Sequence, residues 1–345
     1  MVDASVAFVT VLLATHPRFA DHEAGRGHPE RPARLTAVLD GIEHAGLAGA
    51  LRPVEVLPAG RDELERVHPA AFVDALERFC ASGGGRIDAD TGACSGSWDA
   101  ALLAAGAGLS SIAALDAGEG DSALCVVRPP GHHATPSRAM GFCLLNNVAV
   151  VASALAARGE RVVIVDYDAH HGNGTQDAFY DRGDVLYISF HQWPLYPGTG
   201  AIDEVGHGDG YGATLNLPMP PEATGDVYRA ALEEVVDPVV ARFQPTWLLV
   251  SAGFDAHRRD PLTDLGLTSG DYADITKHIM GYAPAGQRML LLEGGYDLEA
   301  LADTAGAVVA ALADGQYRPE QATSGGPGRH VVDAAARQWR EIATG

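Results

Sequence analysis

The chain has 345 residues, 47% of them apolar and 20% charged, with 45 acidic against 24 basic side chains and a net charge of −21. This is ordinary globular material, long enough to bury a large core as one unit. The acidic excess speaks against nucleic acid or anionic lipid as partners and is compatible with a cationic substrate such as a polyamine or a lysine-rich peptide, although its simplest role is solubility.

The apolar segment Ser5–Thr15 follows Asp3 with no basic residue before it, so it reads as a first strand, Ala7–Leu13, rather than a secretory leader. Helix-like segments follow at Arg31–Ala45, Ala70–Cys80 and Ser97–Ala117, then a strand at Ala123–Arg128 and a helix at Leu144–Ala157. Strands are expected at Arg161–Asp166, Val185–Phe190 and Ala213–Leu217, a helix at Thr224–Ala241, and a strand at Trp247–Ser251. The helix Thr268–Tyr282, the strand Met289–Leu292 and the helix Leu298–Ala313 complete the alternation, and Val331–Ile342 forms a last helix. Near-continuous apolar strands alternating with helices predict an α/β fold with a mostly parallel central sheet covered on both faces. We expect one domain over residues 1–315. A C-terminal extension, 316–345, packs on it or trails from it. No stretch reads as long and apolar enough to span a membrane, and the expected compartment is the cytoplasm. Cys80, Cys94, Cys125 and Cys143 form no C-x-x-C pair, which opposes both a thiolate zinc site and a disulfide framework.

Glycine and proline cluster at the strand exits, where open α/β sheets place their ligand sites. In VDYDAHHGNG, Asp168 and His170 stand two apart just beyond a strand and share a side. SAGFDAHRRDP puts Asp255 beyond another strand, and two carboxylates with one imidazole suit a divalent zinc or iron ion with an open position for water. Asp166, on the same face as Asp168, is placed to orient a histidine ring. In RPPGHHA, His132 and His133 follow a rigid turn and suit proton transfer near neutral pH. LEGGY brings Tyr296, whose phenol can donate to a developing oxyanion, close behind two glycines.

HPERPARL, RPPGHHA, GFC-LLNN, DYDAHHGNGTQ, SAGFDAHRRDPL and LEGGY, in this order from about His16 to Leu312, resemble the zinc-dependent histone deacetylase superfamily. The likeness is greatest to its class II branch and bacterial amidohydrolases, and the superfamily includes acetylpolyamine amidohydrolases. The resemblance implies the three-layer α/β/α arginase–deacetylase fold. It implies Asp168, His170 and Asp255 as ligands of Zn2+, with Fe2+ also compatible. His132 and His133 would be the catalytic tandem, paired with Asp166 and Asn173, and Tyr296 would polarise the carbonyl. Gly141 and Phe142 would line an acyl-lysine tunnel opposite Tyr196, with Leu262 and Asp90 at its mouth. A structural K+ would sit near Asp166, Asp168, His170, Ser189 and Phe190.

The implied reaction removes an acetyl or other short acyl group from a lysine side chain or a related primary amine. The implied partner is an acylated lysine peptide or acylated small amine, and a homo-oligomer is compatible with the family. The runner-up is an acetylpolyamine amidohydrolase, against which Leu262 after Asp260-Pro261 counts, since it offers no charge to a secondary ammonium. A two-metal arginase is opposed by His257 and Gly172 standing where that chemistry needs carboxylates. A non-catalytic ligand-binding module is opposed by the presence of every expected catalytic residue. The loops 18–31, 83–97 and 192–212 shape the pocket, and His22 and His28 are read there as structural groups.

Overall fold

The computed structural model describes residues 9–344, so the first two residues of the expected strand Ala7–Leu13 lie outside the described residues. In chain order the strands are β1 Val11–Ala14, β2 Leu51–Val54, β3 Gly84–Arg86, β4 Gly92–Cys94 and β5 Ser122–Cys125, then β6 Val162–Asp166, β7 Val185–Gln192, β8 Thr214–Met219, β9 Trp247–Ala252 and β10 Arg288–Leu292. Eight of them form one sheet in the spatial order β2-β1-β5-β10-β9-β6-β7-β8, and β3 pairs with β4 as a separate antiparallel hairpin. Every pairing in the large sheet is parallel. Strands β5, β6, β7 and β9 are buried along their whole length, which is why they read as near-continuous apolar runs.

Helices flank this sheet. Ala33–His44 packs on Leu298–Leu312, which packs on Ser269–Ile279, while Ser97–Asp116 packs on Asn147–Ala156 and on β1, β5 and β10. Local chemistry fixes several starts. Asn146 accepts from the Ala149 N–H, Asp297 accepts from the Ala300 N–H, and Thr268 with Asp271 forms a reciprocal capping box. The expected helix Thr224–Ala241 forms over 225–243 but carries a π turn at Leu232–Val236. Pro238 follows that turn and cannot donate to the ladder, so the widened turn relieves the clash.

Some elements escape a pattern reading. The edge strand β2 holds an arginine and a proline, both tolerated where one side of a strand is unpaired. The hairpin β3–β4 is built largely of glycine and small residues, and the short helix Asn173–Phe179 follows the DYDAHHG motif directly. The expectation that no segment is long and apolar enough to cross a membrane fails for one helix, the 20-residue Ser97–Asp116. Most of it is buried within the fold, and that packing accounts for its apolarity. The final helix, Arg329–Thr344, lays Val331, Val332, Ala335 and Trp339 against β8 and the π turn.

The chain order explains where the site falls. After β5 the path skips two positions to β6 and runs outward to β8, then returns to fill the gap with β9 and β10. The four adjacent central strands β5, β10, β9 and β6 therefore end side by side, and each delivers one of the singled-out motifs.

Candidate active site

The exits of β6 and β9 bring Asp168, His170 and Asp255 together, with one donor atom of each within 4.8 Å of the others. The backbone orients both carboxylates: Gly294 N–H donates to Asp168 Oδ2 at 2.8 Å, His170 N–H to Asp168 Oδ1 at 2.9 Å, and Ala169 N–H to Asp255 Oδ1 at 2.8 Å. Asp168 Oδ1 and Asp255 Oδ2 lie 3.1 and 3.0 Å from His170 Nδ1. Two hard oxygens and one imidazole nitrogen, buried and aimed at one point, fit a divalent zinc or iron ion. Burial opposes a charged His170, yet its bonds to Asp168 and Asp255 raise it to about 10. The same two carboxylates that favour a proton there would hold a divalent cation against the neutral ring. Glycine is required alongside: a Cβ on Gly253 would stand 1.9 Å from Asp168 Oδ2, and one on Gly294 would stand 2.2 Å from Asp255 Oδ2.

The β5 exit places two imidazoles beside this cluster, their ring centroids 4.1 Å apart. His132 Nδ1 is 3.0 Å from Asp166 Oδ2, which also accepts from the Tyr187 hydroxyl at 3.0 Å. His133 Nδ1 lies 2.9 Å from Asn173 Oδ1. Their surroundings drive the two rings in opposite directions. Burial opposes charge on His132, but the Asp168, Asp166 and Glu293 carboxylates outweigh it and hold the ring well above its usual range. Burial, and then the charges of His132 and His170, push His133 well below it. Separation of this kind suits an acid–base pair with divided roles.

Over the cluster stands a cavity of about 220 Å³ lined by Asp90, His133, Gly141, Phe142, His170, Leu195, Tyr196, Leu262 and Tyr296. The structure thus gathers every singled-out tunnel residue on one wall or another. Tyr196 meets His133 edge-on with centroids 5.1 Å apart, and Phe142 meets Tyr296 edge-on at 5.8 Å. Leu262 and Tyr196 are each 37% exposed, as residues at a mouth should be. Burial, more than the opposing Arg34 charge, lifts the Tyr296 phenol well above its usual value, so it stays a donor. Asp166 and Asn173 lie behind the histidines rather than on the wall. Of the residues expected near a monovalent cation, Ser189 on β7 is the register partner of Asp166 on β6, and Phe190 follows it.

A family profile described as Histone deacetylase domain matches residues 28–312. The chain belongs to the histone deacetylase family. Among this family's members, it is 41% identical over 305 residues to a protein of Archaeoglobus fulgidus named "Probable deacetylase", covering 86% of this chain and 85% of that one. A histone deacetylase-like amidohydrolase of Pseudomonas aeruginosa is 38% identical over 279 residues, covering 79% of this chain and 73% of its own. The crystal structure of the HDA15 HD domain superposes with a TM-score of 0.88 at 35% identity, covering 97% of each chain. The protein is a deacetylase, a hydrolase.

Several groups that build this deacetylase site carried no role in the sequence reading. Glu30 and Arg34, from HPERPARL, form a buried charge lattice with Arg128. Arg128 Nη2 donates to Glu30 Oε2 at 2.6 Å, Arg34 Nη1 to Glu30 Oε1 at 3.2 Å, and Arg34 Nε to the Gly295 carbonyl at 2.7 Å. Arg34 also lies 5.0 Å from the Tyr296 ring centroid. One carboxylate thus joins the turn bearing the histidines to the turn bearing the phenol. Burial opposes charge on Glu30, but its bonds to His22 and Arg128 draw it well below the usual carboxylate range. Glu293 Oε2 accepts from the Gly131 N–H at 2.6 Å and the His132 N–H at 3.2 Å, and burial raises this carboxyl to about 7. Asp260 holds the Tyr296 N–H at 2.7 Å and the Leu262 N–H at 2.9 Å. The visible signal was only that charged residues sat inside apolar or proline-rich motifs.

Proposed function

We propose that the protein is a metal-dependent amidohydrolase that removes an acetyl or other short acyl group from a lysine side chain or a related primary amine. The observation that carries this reading is the convergence, on one narrow cavity, of a buried donor set for a divalent ion, a depressed histidine and a protonated phenol. The ion that Asp168, His170 and Asp255 would hold, zinc or iron, supplies Lewis-acid polarisation of the acyl carbonyl and acidification of water. His133, kept neutral by its burial, accepts the proton of the attacking water. The Tyr296 hydroxyl donates to the oxyanion as the carbonyl becomes tetrahedral. His133 then returns its proton to the departing amine nitrogen. His132, held charged by Asp168 and Asp166, supplies positive potential without leaving its bond to Asp166. Phe142 and Tyr196 offer apolar walls to the uncharged stem of an acylated side chain. Ser189 and Phe190, beside Asp166, are the proposed carbonyl donors to a monovalent K+.

Leu262 at the mouth favours acyl-lysine over a substrate carrying a second ammonium. The overall acidity of the chain, 45 acidic against 24 basic side chains, favours the other reading, an acylpolyamine. The net charge of −21 opposes a polyanionic partner. A cytoplasmic location is supported by four unpaired cysteines; relatives from rice and Arabidopsis carry "chloroplastic" in their names. The test is a panel of acetyl-lysine peptide, longer acyl-lysine peptides, acetylputrescine and acetylspermidine, run with defined zinc or iron content. Turnover of acyl-lysine above the polyamines is expected. Turnover of none of them with metal bound would remove the proposal.

A further inference from the structure

The HPERPARL segment contains a histidine that the reaction does not use. The Glu30 N–H donates to His28 Nδ1 at 3.1 Å. Nδ1 also lies 3.2 Å from the Glu30 carbonyl, while Nε2 lies 2.9 Å from the Asp90 carbonyl; a carbonyl can only accept, so this second contact is a donation from Nε2–H. The ring also meets Phe142 edge-on, with centroids 4.5 Å apart and planes at 81°.

Both partners need that support. Phe142 has φ 68, a left-handed backbone that a bulky side chain keeps only where its surroundings over-determine it. Its N–H donates to Thr91 Oγ1 at 3.1 Å, and the Thr91 hydroxyl donates to Asp90 Oδ1 at 2.8 Å. His28, Asp90, Thr91 and Phe142 therefore close a ring of contacts around one side of the tunnel mouth. Beyond His28 lies a second cavity of about 440 Å³, which Asp90, Thr91, Arg26 and Arg86 also line. His28 is thus part of the partition between the two.

We propose that His28 is a positioning residue that sets substrate specificity: by fixing Asp90 and Phe142 it favours an acylated lysine within a peptide over a small free acylamine. The proposal rests on the amidohydrolase reading of the site. Asp90 at the mouth is an acceptor for the peptide N–H groups that flank an acylated side chain. A small acylamine reaching the same tunnel has no such groups and depends on the aromatic walls alone.

The variant His28→Phe keeps a ring edge against Phe142 and removes the donor to Asp90. KM for an acetyl-lysine peptide should rise about tenfold, the scale of one lost hydrogen bond, with kcat unchanged. KM for acetylputrescine should not move, and His28→Gln, which retains a donor, should recover part of the peptide KM. In hydrogen exchange the Asp90 and Thr91 amides should exchange faster in His28→Phe, with Gly294 and Tyr296 unaffected. Equal KM rises on both substrates, a fall in kcat alone, unchanged kinetics, or unchanged exchange at Asp90 and Thr91 would each overturn the proposal. If the wild-type enzyme turns over neither substrate, the amidohydrolase reading has failed, and the exchange comparison still decides whether His28 fixes the rim.

Discussion

The amide oxygen of Asn173 lies 2.9 Å from His133 Nδ1 and carries no formal charge. A carboxylate at that distance would favour the imidazolium, against the burial and the neighbouring His132 and His170 charges that now hold His133 down. Asn173→Asp should therefore raise the pKa of His133. A base with a raised pKa stays protonated to a higher pH, so the acidic limb of the kcat/KM profile should move toward neutrality. An unmoved limb would mean that His133 is not the group titrating there. Tyr296 makes a separate contribution. Its ring is fixed between Arg34 and Phe142, and its backbone N–H is held by Asp260, so removing the hydroxyl leaves the scaffold in place. Tyr296→Phe should keep its thermal midpoint and bound metal while kcat falls about 100- to 1000-fold, the usual cost of one oxyanion donor. Wild-type turnover in that variant, measured at matched metal content, would take the phenol out of the mechanism.

At the scale of elements, four adjacent strand ends do the positioning, and the tightest constraint on them is the space beside the donor set. Gly294 follows β10 by two residues, its N–H holding Asp168 Oδ2. A Cβ there would come within 2.2 Å of Asp255 Oδ2 and 2.6 Å of Asp168 Oδ2. Gly294→Ala should therefore fold, since the strand itself is untouched, but bind zinc at least about 10- to 100-fold more weakly, as losses around metal ligands do. A chelator-competition titration beside a circular dichroism spectrum checks this, and wild-type affinity would show that the carboxylates have freedom to shift. Such constraints also explain what could be read in advance. The central strands were legible because burial on both faces leaves nearly pure apolar runs, and Asp168 and His170 were legible because two-residue spacing in extended chain fixes their side. Strand β2 was not, since an exposed edge imposes no such pattern. The Glu30 lattice was not either: Arg128 lies 98 positions from Glu30, and Gly295 lies 261 from Arg34, and no local spacing encodes those meetings.

At the scale of the whole molecule, the family profile ends at residue 312, yet the chain beyond it is tied into the same unit. Glu320 Oε2 lies 2.7 Å from His257 Nε2, and Glu320 Oε1 accepts from Arg258 at 2.8 Å. These two residues sit two and three positions beyond Asp255, so the tail braces the loop that carries a proposed metal ligand. Thr323 N–H and hydroxyl both donate to Asp271, the capping residue of helix Ser269–Ile279. Farther on, Val331, Val332 and Trp339 of the last helix are buried against β8 and the π turn. Exposing side chains of that size costs about 1.5–3 kcal/mol each, a serious loss against a typical total of about 5–15 kcal/mol. We therefore propose that residues 316–344 are an integral layer of the catalytic domain rather than a trailing extension. Deleting them should lower the thermal midpoint sharply. The milder Glu320→Gln, which keeps the helix packed but removes the charge facing His257 and Arg258, should leave most of the stability and weaken metal binding through the Asp255 loop. A truncated chain with the midpoint and zinc affinity of the full one would show that the loop after β9 holds its carboxylate without help from the tail.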